Sequence, residues 1–211
     1  MKQVFGSLCM FFSLLSEAQT NTVAYSRDYE FKEGIFLTLE QFKNNAPILK
    51  SAIVSVLPKS QIDFLTQVLE QKTVIYKDSS GSEQKLESAS IWGFSQNRTI
   101  FINFNNEFNR INVIGTLSLF SAIVVQTPMR NEPIGDMYAI EPTFQELHQF
   151  VFDMQTNKVF DFSLKNMEIL LKNDAELFDQ FMKLKKRKKA DSIFIYLRKY
   201  NEKHPLYLVS K

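Results

Sequence analysis

The sequence predicts an α+β fold, a curved antiparallel sheet or partly open barrel with flanking N-terminal helices and a C-terminal helical segment. Three observations carry that reading. Between Thr73 and Phe162, short runs rich in β-branched and aromatic residues alternate with turn formers, the pattern of an antiparallel meander. On either side of that stretch, apolar residues recur at helical spacing behind Thr, Ser and Asp caps. Twenty phenylalanines and 45% apolar residues supply a sizeable core, so disorder is not expected for most of the chain.

The first 18 residues read as a cleavable export signal. Lys2 gives a positive leader, residues 4–15 (VFGSLCMFFSLL) carry no charge, and Ser16 and Ala18 stand three and one positions before a cut that would leave Gln19 first. A membrane-spanning helix needs roughly 20 apolar residues, and Ser16-Glu17 end this run too early. The competing reading is a buried core helix. Cys9 is preceded by Leu8 where a lipid-attachment motif needs a small residue, so lipidation is set aside.

Removing 18 of 211 residues leaves 193, enough for one domain. The expected organisation is an extended N-terminus over residues 19–33, then one domain over 34–211: helical at 34–72, sheet at 73–162 and helical at 163–204. Cys9 is the only cysteine. The processed chain would therefore have no disulfide, thiolate metal site or cysteine nucleophile. The formal net charge of +2 survives processing, because Lys2 and Glu17 leave together; so small an excess argues against general nucleic-acid binding.

Element by element, Thr38 begins a capping box closed by Gln41, for a short helix ending near Asn44-Asn45. Ser60 is the candidate cap of a helix carrying Ile62, Leu65, Val68 and Leu69. In RTIFINF (98–104), Ile100, Ile102 and Phe104 share one face and Phe101 takes the other, which marks a strand covered on both sides at the sheet's centre. Residues 127–143, with Pro128, Pro133, Pro142 and Gly135, read as a long loop, and residues 146–162 as a hairpin turning at Thr156-Asn157-Lys158. Ser163 and Asp174 cap two helices; Ile193, Leu197 and Tyr200 mark a third, stopped by Pro205.

Three stretches, GIFLTLEQFKNN (34–45), IWGFSQNRTIFINFNNEFNRINVIG (91–115) and the C-terminal KNDAELFDQF with YLRKYNEKHPLY, resemble a group of uncharacterised exported proteins of Bacteroidetes bacteria. The resemblance covers most of the processed chain, without the middle loop. Such proteins are expected to carry an Asp-Gly type turn where this chain has Gln96-Asn97, and a Thr-Gly turn where it has Thr156-Asn157. Asn also tolerates positive φ, so both hairpins survive the change. The resemblance implies an envelope location and a shared fold, and no activity.

No catalytic, cofactor or metal motif stands out. The chain lacks G-x-S-x-G, clustered glycines and HExxH. Of the two histidines, His148 is expected at the core's edge beside Phe150, and His204 exposed. Glu146, Asp153 and Asp161 are the carboxylates nearest one another for a glycosidase-like pair, with solvated edge and turn positions as the bland reading. Asn103, Asn105, Asn106 and Glu107 offer oxygen ligands without the glycine and acidic spacing of a calcium loop, and are read as a turn.

Two surfaces are candidates for contact. Lys183, Lys185, Lys186, Arg187, Lys188 and Lys189 place six bases in seven positions. The bland reading is a solvated helix end offsetting its dipole; the functional one is contact with an anionic surface, lipid or glycan. Tyr76, Trp92 and Phe94 are a candidate aromatic platform for a sugar or peptide, against the commoner role of core. The sequence thus points to an exported envelope protein that binds a protein, glycan or anionic lipid surface, without a transmembrane anchor. The alternative is a hydrolase with a carboxylate-only site acting on envelope glycans.

Overall fold

The structure is a computed structural model that describes residues 21–126 and 144–210. The stretches expected to be an export signal (1–18) and a proline-rich loop (127–143) lie outside those residues.

The chain opens with β1 (Thr22–Ala24) and β2 (Gly34–Phe36), then α1 (Leu39–Lys43), β3 (Ile48–Leu49), β4 (Ile53–Val54) and α2 (Phe64–Leu69). Next come β5 (Thr73–Lys77), β6 (Glu83–Glu87), β7 (Gly93–Gln96), β8 (Thr99–Phe104), β9 (Glu107–Val113) and β10 (Leu117–Gln126). After the undescribed segment follow β11 (Phe144–Asp153), β12 (Lys158–Asp161), α3 (Leu164–Leu171), α4 (Ala175–Met182), α5 (Lys186–Lys203) and β13 (Tyr207–Val209).

Eight strands form one open antiparallel sheet in the order β12-β11-β10-β9-β8-β7-β2-β3. As expected of RTIFINF, β8 lies inside this sheet, with Ile100 and Ile102 in one core and Phe101 against another. The sheet curves strongly. Trp92, just before β7, and Phe152 in β11 have ring centroids 5.9 Å apart, although β8, β9 and β10 lie between those strands. In a flat sheet four strand spacings would separate them by about 19 Å. Phe36, Ile102, Phe120 and Phe150 line the concave side, which Phe31, Phe42, Leu206 and Leu208 fill.

The convex side is covered in two places. Helices α3, α4 and α5 pack Met167, Leu170, Phe181 and Leu197 over Leu117, Leu119 and Val151. At the other end, α2 and a three-stranded sheet (β4-β5-β6) pack Phe64, Leu65 and Val74 over Ile35 and Phe94. Each large side chain fully buried there contributes about 1.5–3 kcal/mol of transfer free energy.

Two expectations change, and the N-terminus, expected to be extended, is also tied down. The span 34–72 holds both expected helices but also β2, β3 and β4, because Ile35 and Phe36 are buried on opposite faces and the segment extends the main sheet. The span 73–162 is not one sheet, since β5 and β6 pair with β4 instead. The polar N-terminus is anchored: β1 pairs with β13, and the Tyr29 hydroxyl donates to Val209 O at 2.7 Å.

The caps show how local chemistry sets the boundaries. Thr38 Oγ1 accepts from the Gln41 amide at 3.1 Å, while Gln41 Oε1 accepts from the Leu37 amide at 2.7 Å, satisfying donors a helix start leaves free. Ser163 and Asp174 likewise accept from Asn166 N and Leu177 N. Ser60 caps nothing; α2 starts at Phe64 behind Asp63, whose side chain makes no cap bond, and Ile62 is exposed. The tight turns use asparagine at positive φ, at Asn97, Asn105, Asn106 and Asn157, as left-handed backbone favours.

Candidate functional site

The basic run straddles the corner between α4 and α5. Lys183 is the C-cap of α4, Lys185 the N-cap of α5, and Lys186, Arg187 and Lys188 form the first turn of α5. All five are exposed. Their position reverses the bland expectation: only Lys183 sits where a cation offsets a helix dipole, whereas the other four crowd the positive end of an 18-residue helix. A cation there costs about 0.3–1 kcal/mol at low ionic strength. Among the described residues none of the five has a carboxylate within ion-pair distance.

Lys189 does not belong to that surface. It is 8% exposed, its ammonium donates to Glu168 Oε1 at 2.7 Å, and it lies 3.1 Å from Met182 Sδ and 5.6 Å from the Phe181 ring centroid. The patch is therefore five cations, not six. Two exposed apolar side chains flank it: Met182, beside Lys183, and Ile195, two turns after Lys188 on the same side of α5.

At the opposite end of α5 the last two basic residues, Lys203 and His204, are paired. Lys203 Nζ lies 2.9 Å from Asp174 Oδ1 and 2.8 Å from Glu176 Oε2, and His204 Nε2 lies 2.6 Å from Asp174 Oδ2. Since an ionised carboxylate only accepts, the His204 nitrogen donates. The Leu177 amide, then Lys203 and His204, hold the Asp174 carboxyl well below the ordinary carboxylate range. His204 is thus a half-buried partner of a helix cap, not a free surface residue.

The three candidate aromatics are not brought together. Tyr76 lies on β5 of the small sheet, Trp92 packs in the concave core against Phe42 at 4.8 Å, and Phe94, 1% exposed, stacks on Phe101 at 4.5 Å. Nor do the candidate carboxylates converge. Asp153 and Glu146 are seven residues apart on one strand, about 23 Å, on opposite faces; a glycosidase pair stands about 5–9.5 Å apart. Asp153 is buried and accepts from the Gln155 and Thr156 amides, holding the β11–β12 turn, while Glu146 pairs with His148 at 3.0 Å. Asp161 opposes Phe150 across the hairpin. His148 lies beside the Phe150 ring, as its alternation implied. Asn103 donates to the Ser88, Ala89 and Ile91 carbonyls, and no cluster of His, Cys, Asp and Glu able to hold a metal occurs among the described residues. No helix among them is long and apolar enough to cross a membrane.

A site that sequence reasoning missed is a cavity of about 640 Å³ between the segment after β1, the β9–β10 connection and the last turns of α5. Its walls join residues 25–27, 112–115 and 198–206, and no local pattern signals their meeting.

Residues 34–204 match the family described as "Family of unknown function (DUF6563)". No curated protein and no solved structure matches the chain at a significant level.

Proposed function

The chain belongs to the DUF6563 family, and because that membership assigns no activity, we propose from the α4–α5 corner that the protein is an exported binding module that docks on an anionic lipid surface of the cell envelope. One observation carries the reading: five exposed cations crowd a helix corner with no carboxylate to neutralise them among the described residues, four of them at the helix end where their mutual field is least tolerable. Near an anionic surface each basic residue contributes about 1 kcal/mol. Five then contribute about 5 kcal/mol, between three and four orders of magnitude in partitioning, enough for reversible peripheral attachment. Met182 and Ile195 supply apolar contact at the same corner, and the export signal read in residues 1–18 gives access to the envelope.

Cosedimentation of the protein with vesicles tests this. Binding is expected to vesicles containing phosphatidylglycerol, not to pure phosphatidylcholine, and to vanish near 1 M salt, where the screening length falls to about 3 Å. The variant K185E/K186E/R187E should lose binding while its melting midpoint stays or rises, because acidic residues suit a helix N-terminus. Equal binding to both vesicle types, or binding retained by the variant, overturns the lipid reading. Mass spectrometry of protein recovered from cells tests export: a chain starting at Gln19 is expected, and one starting at Met1 overturns it.

A further inference from the structure

The cavity at the other half of α5 has features of a built ligand site, and its walls are tied to one another. Asn201 holds Leu117 by both edges of its side-chain amide, accepting from Leu117 N and donating to Leu117 O, each at 2.8 Å. Gly115 permits this approach, since a Cβ there would meet Asn201 Nδ2 at 2.4 Å. Thr116 Oγ1 donates to His204 O at 2.6 Å, and the Tyr25 amide donates to Leu206 O at 2.7 Å. All three walls are thus fixed by hydrogen bonds, the preorganisation that binding of a small molecule rewards. The volume, about 640 Å³, lies within the roughly 300–1,000 Å³ of small-molecule sites.

The lining is chemically divided. Arg27 and Arg198 come from different walls, and neither has a carboxylate partner among the described residues. Arg198 is stacked over the Phe194 ring at 4.5 Å, which fixes the plane of its guanidinium. Glu202 also lines the cavity, with no ion pair among the described residues. It stands four residues after Arg198, so the two project side by side, their Cβ atoms about 5–6 Å apart. The rest of the lining is mixed: Tyr25, Val113, Ile114 and Leu206 offer apolar surface beside the polar Ser26, Asn112 and Asn201.

We infer that this cavity binds an α-amino acid with an apolar side chain, Arg27 and Arg198 donating to the carboxylate and Glu202 accepting from the ammonium. A guanidinium and a carboxylate side by side on one helix match a headgroup whose two charges share one carbon, and the planar fork of arginine suits a carboxylate bidentately. The apolar part of the lining, Tyr25, Val113 and Ile114, takes the side chain. Five of the lining residues, Tyr25, Ser26, Arg27, Pro205 and Leu206, lie outside the matched family span of 34–204, so the site depends on the chain beyond it. The inference is independent of membrane docking, since it uses none of the five corner cations.

Isothermal titration calorimetry of the full chain with L-phenylalanine tests it. Saturable one-to-one binding is expected. 3-Phenylpropionate, lacking the ammonium, and phenethylamine, lacking the carboxylate, should each bind roughly tenfold more weakly or worse, the loss expected when a charge-assisted hydrogen bond goes unmade. Arg198→Gln and Arg27→Gln should each weaken L-phenylalanine by a similar factor, and Glu202→Gln should abolish its preference over 3-phenylpropionate. All three side chains are exposed, so melting curves should not move. No saturable heat at about 10 mM ligand, unchanged affinity in both arginine variants, or inorganic phosphate binding as tightly as L-phenylalanine would each overturn the inference.

Discussion

At its C-terminal end α5 turns Lys203 and His204 onto Asp174 and Glu176, whereas at its N-terminal end Lys185 to Lys188 face no carboxylate among the described residues. The charges have the same sign and opposite surroundings. Cations at a helix C-terminus are favoured by the dipole, and here they also reach the cap of α4, so one carboxylate fastens the start of one helix to the end of another. Cations at a helix N-terminus are disfavoured, and nothing described compensates them. The first set is spent on the fold; the second makes no ion pair among the described residues, and the proposed docking rests on that difference.

The comparison breaks most sharply at Asp174. Asp174→Ala removes the acceptor of the Leu177 amide and strands Lys203 and His204, and is expected to lower the thermal midpoint, followed by circular dichroism, more than any other substitution considered below. The pH dependence has a definite sign. A carboxyl whose folded pKa lies below its unfolded value of about 4 stabilises the protein at neutral pH and loses that contribution as the solution is acidified. Stability should therefore begin to fall as pH drops below about 5, and Asp174→Asn should flatten that acid limb. An unchanged limb would mean the contact is not retained in solution.

Lys189 marks the boundary between the two sets. Its ammonium is buried on Glu168 although it follows four exposed bases in sequence. Removing one member of a fully buried pair costs about 3–5 kcal/mol; Glu168 is 31% exposed and can relax toward water, so Lys189→Met should cost only about 1–2 kcal/mol. The double variant Lys189→Met with Glu168→Leu should recover that loss, because apolar replacement of a buried pair is commonly neutral or better. Urea unfolding measures both. Full stability in the single variant would place Lys189 with the surface cations after all.

Local chemistry made much of this fold legible. Thr38, Ser163 and Asp174 were readable as caps because a short polar side chain before an apolar helical run has few other uses, and the hairpin at 146–162 because its strands alternate around an asparagine turn. Strands β2 to β4 were not, being two or three residues long, too short to establish a period of two. Ile62 helped misplace the start of α2 by standing at helical spacing while remaining exposed. The basic run was visible as a cluster, but its place at the start of α5 rather than the end of α4 depended on a boundary with no side-chain cap to announce it. The cavity was illegible for a different reason: Arg27 and Arg198 are joined by tertiary structure alone.

The smallest effect falls on the corner itself, and its sign is what matters. Replacing Lys185, Lys186, Arg187 and Lys188 together with glutamine removes side chains that make no ion pair among the described residues and relieves a dipole conflict of about 0.3 kcal/mol or more per charge. Stability at low salt should rise by about 1 kcal/mol. The gain should disappear near 1 M salt, where the screening length is about 3 Å. Binding to anionic vesicles should be lost in the same variant. A fall in stability instead would show that the cations are held by contacts within the chain, and the two ends of α5 would then differ only in which partners they use.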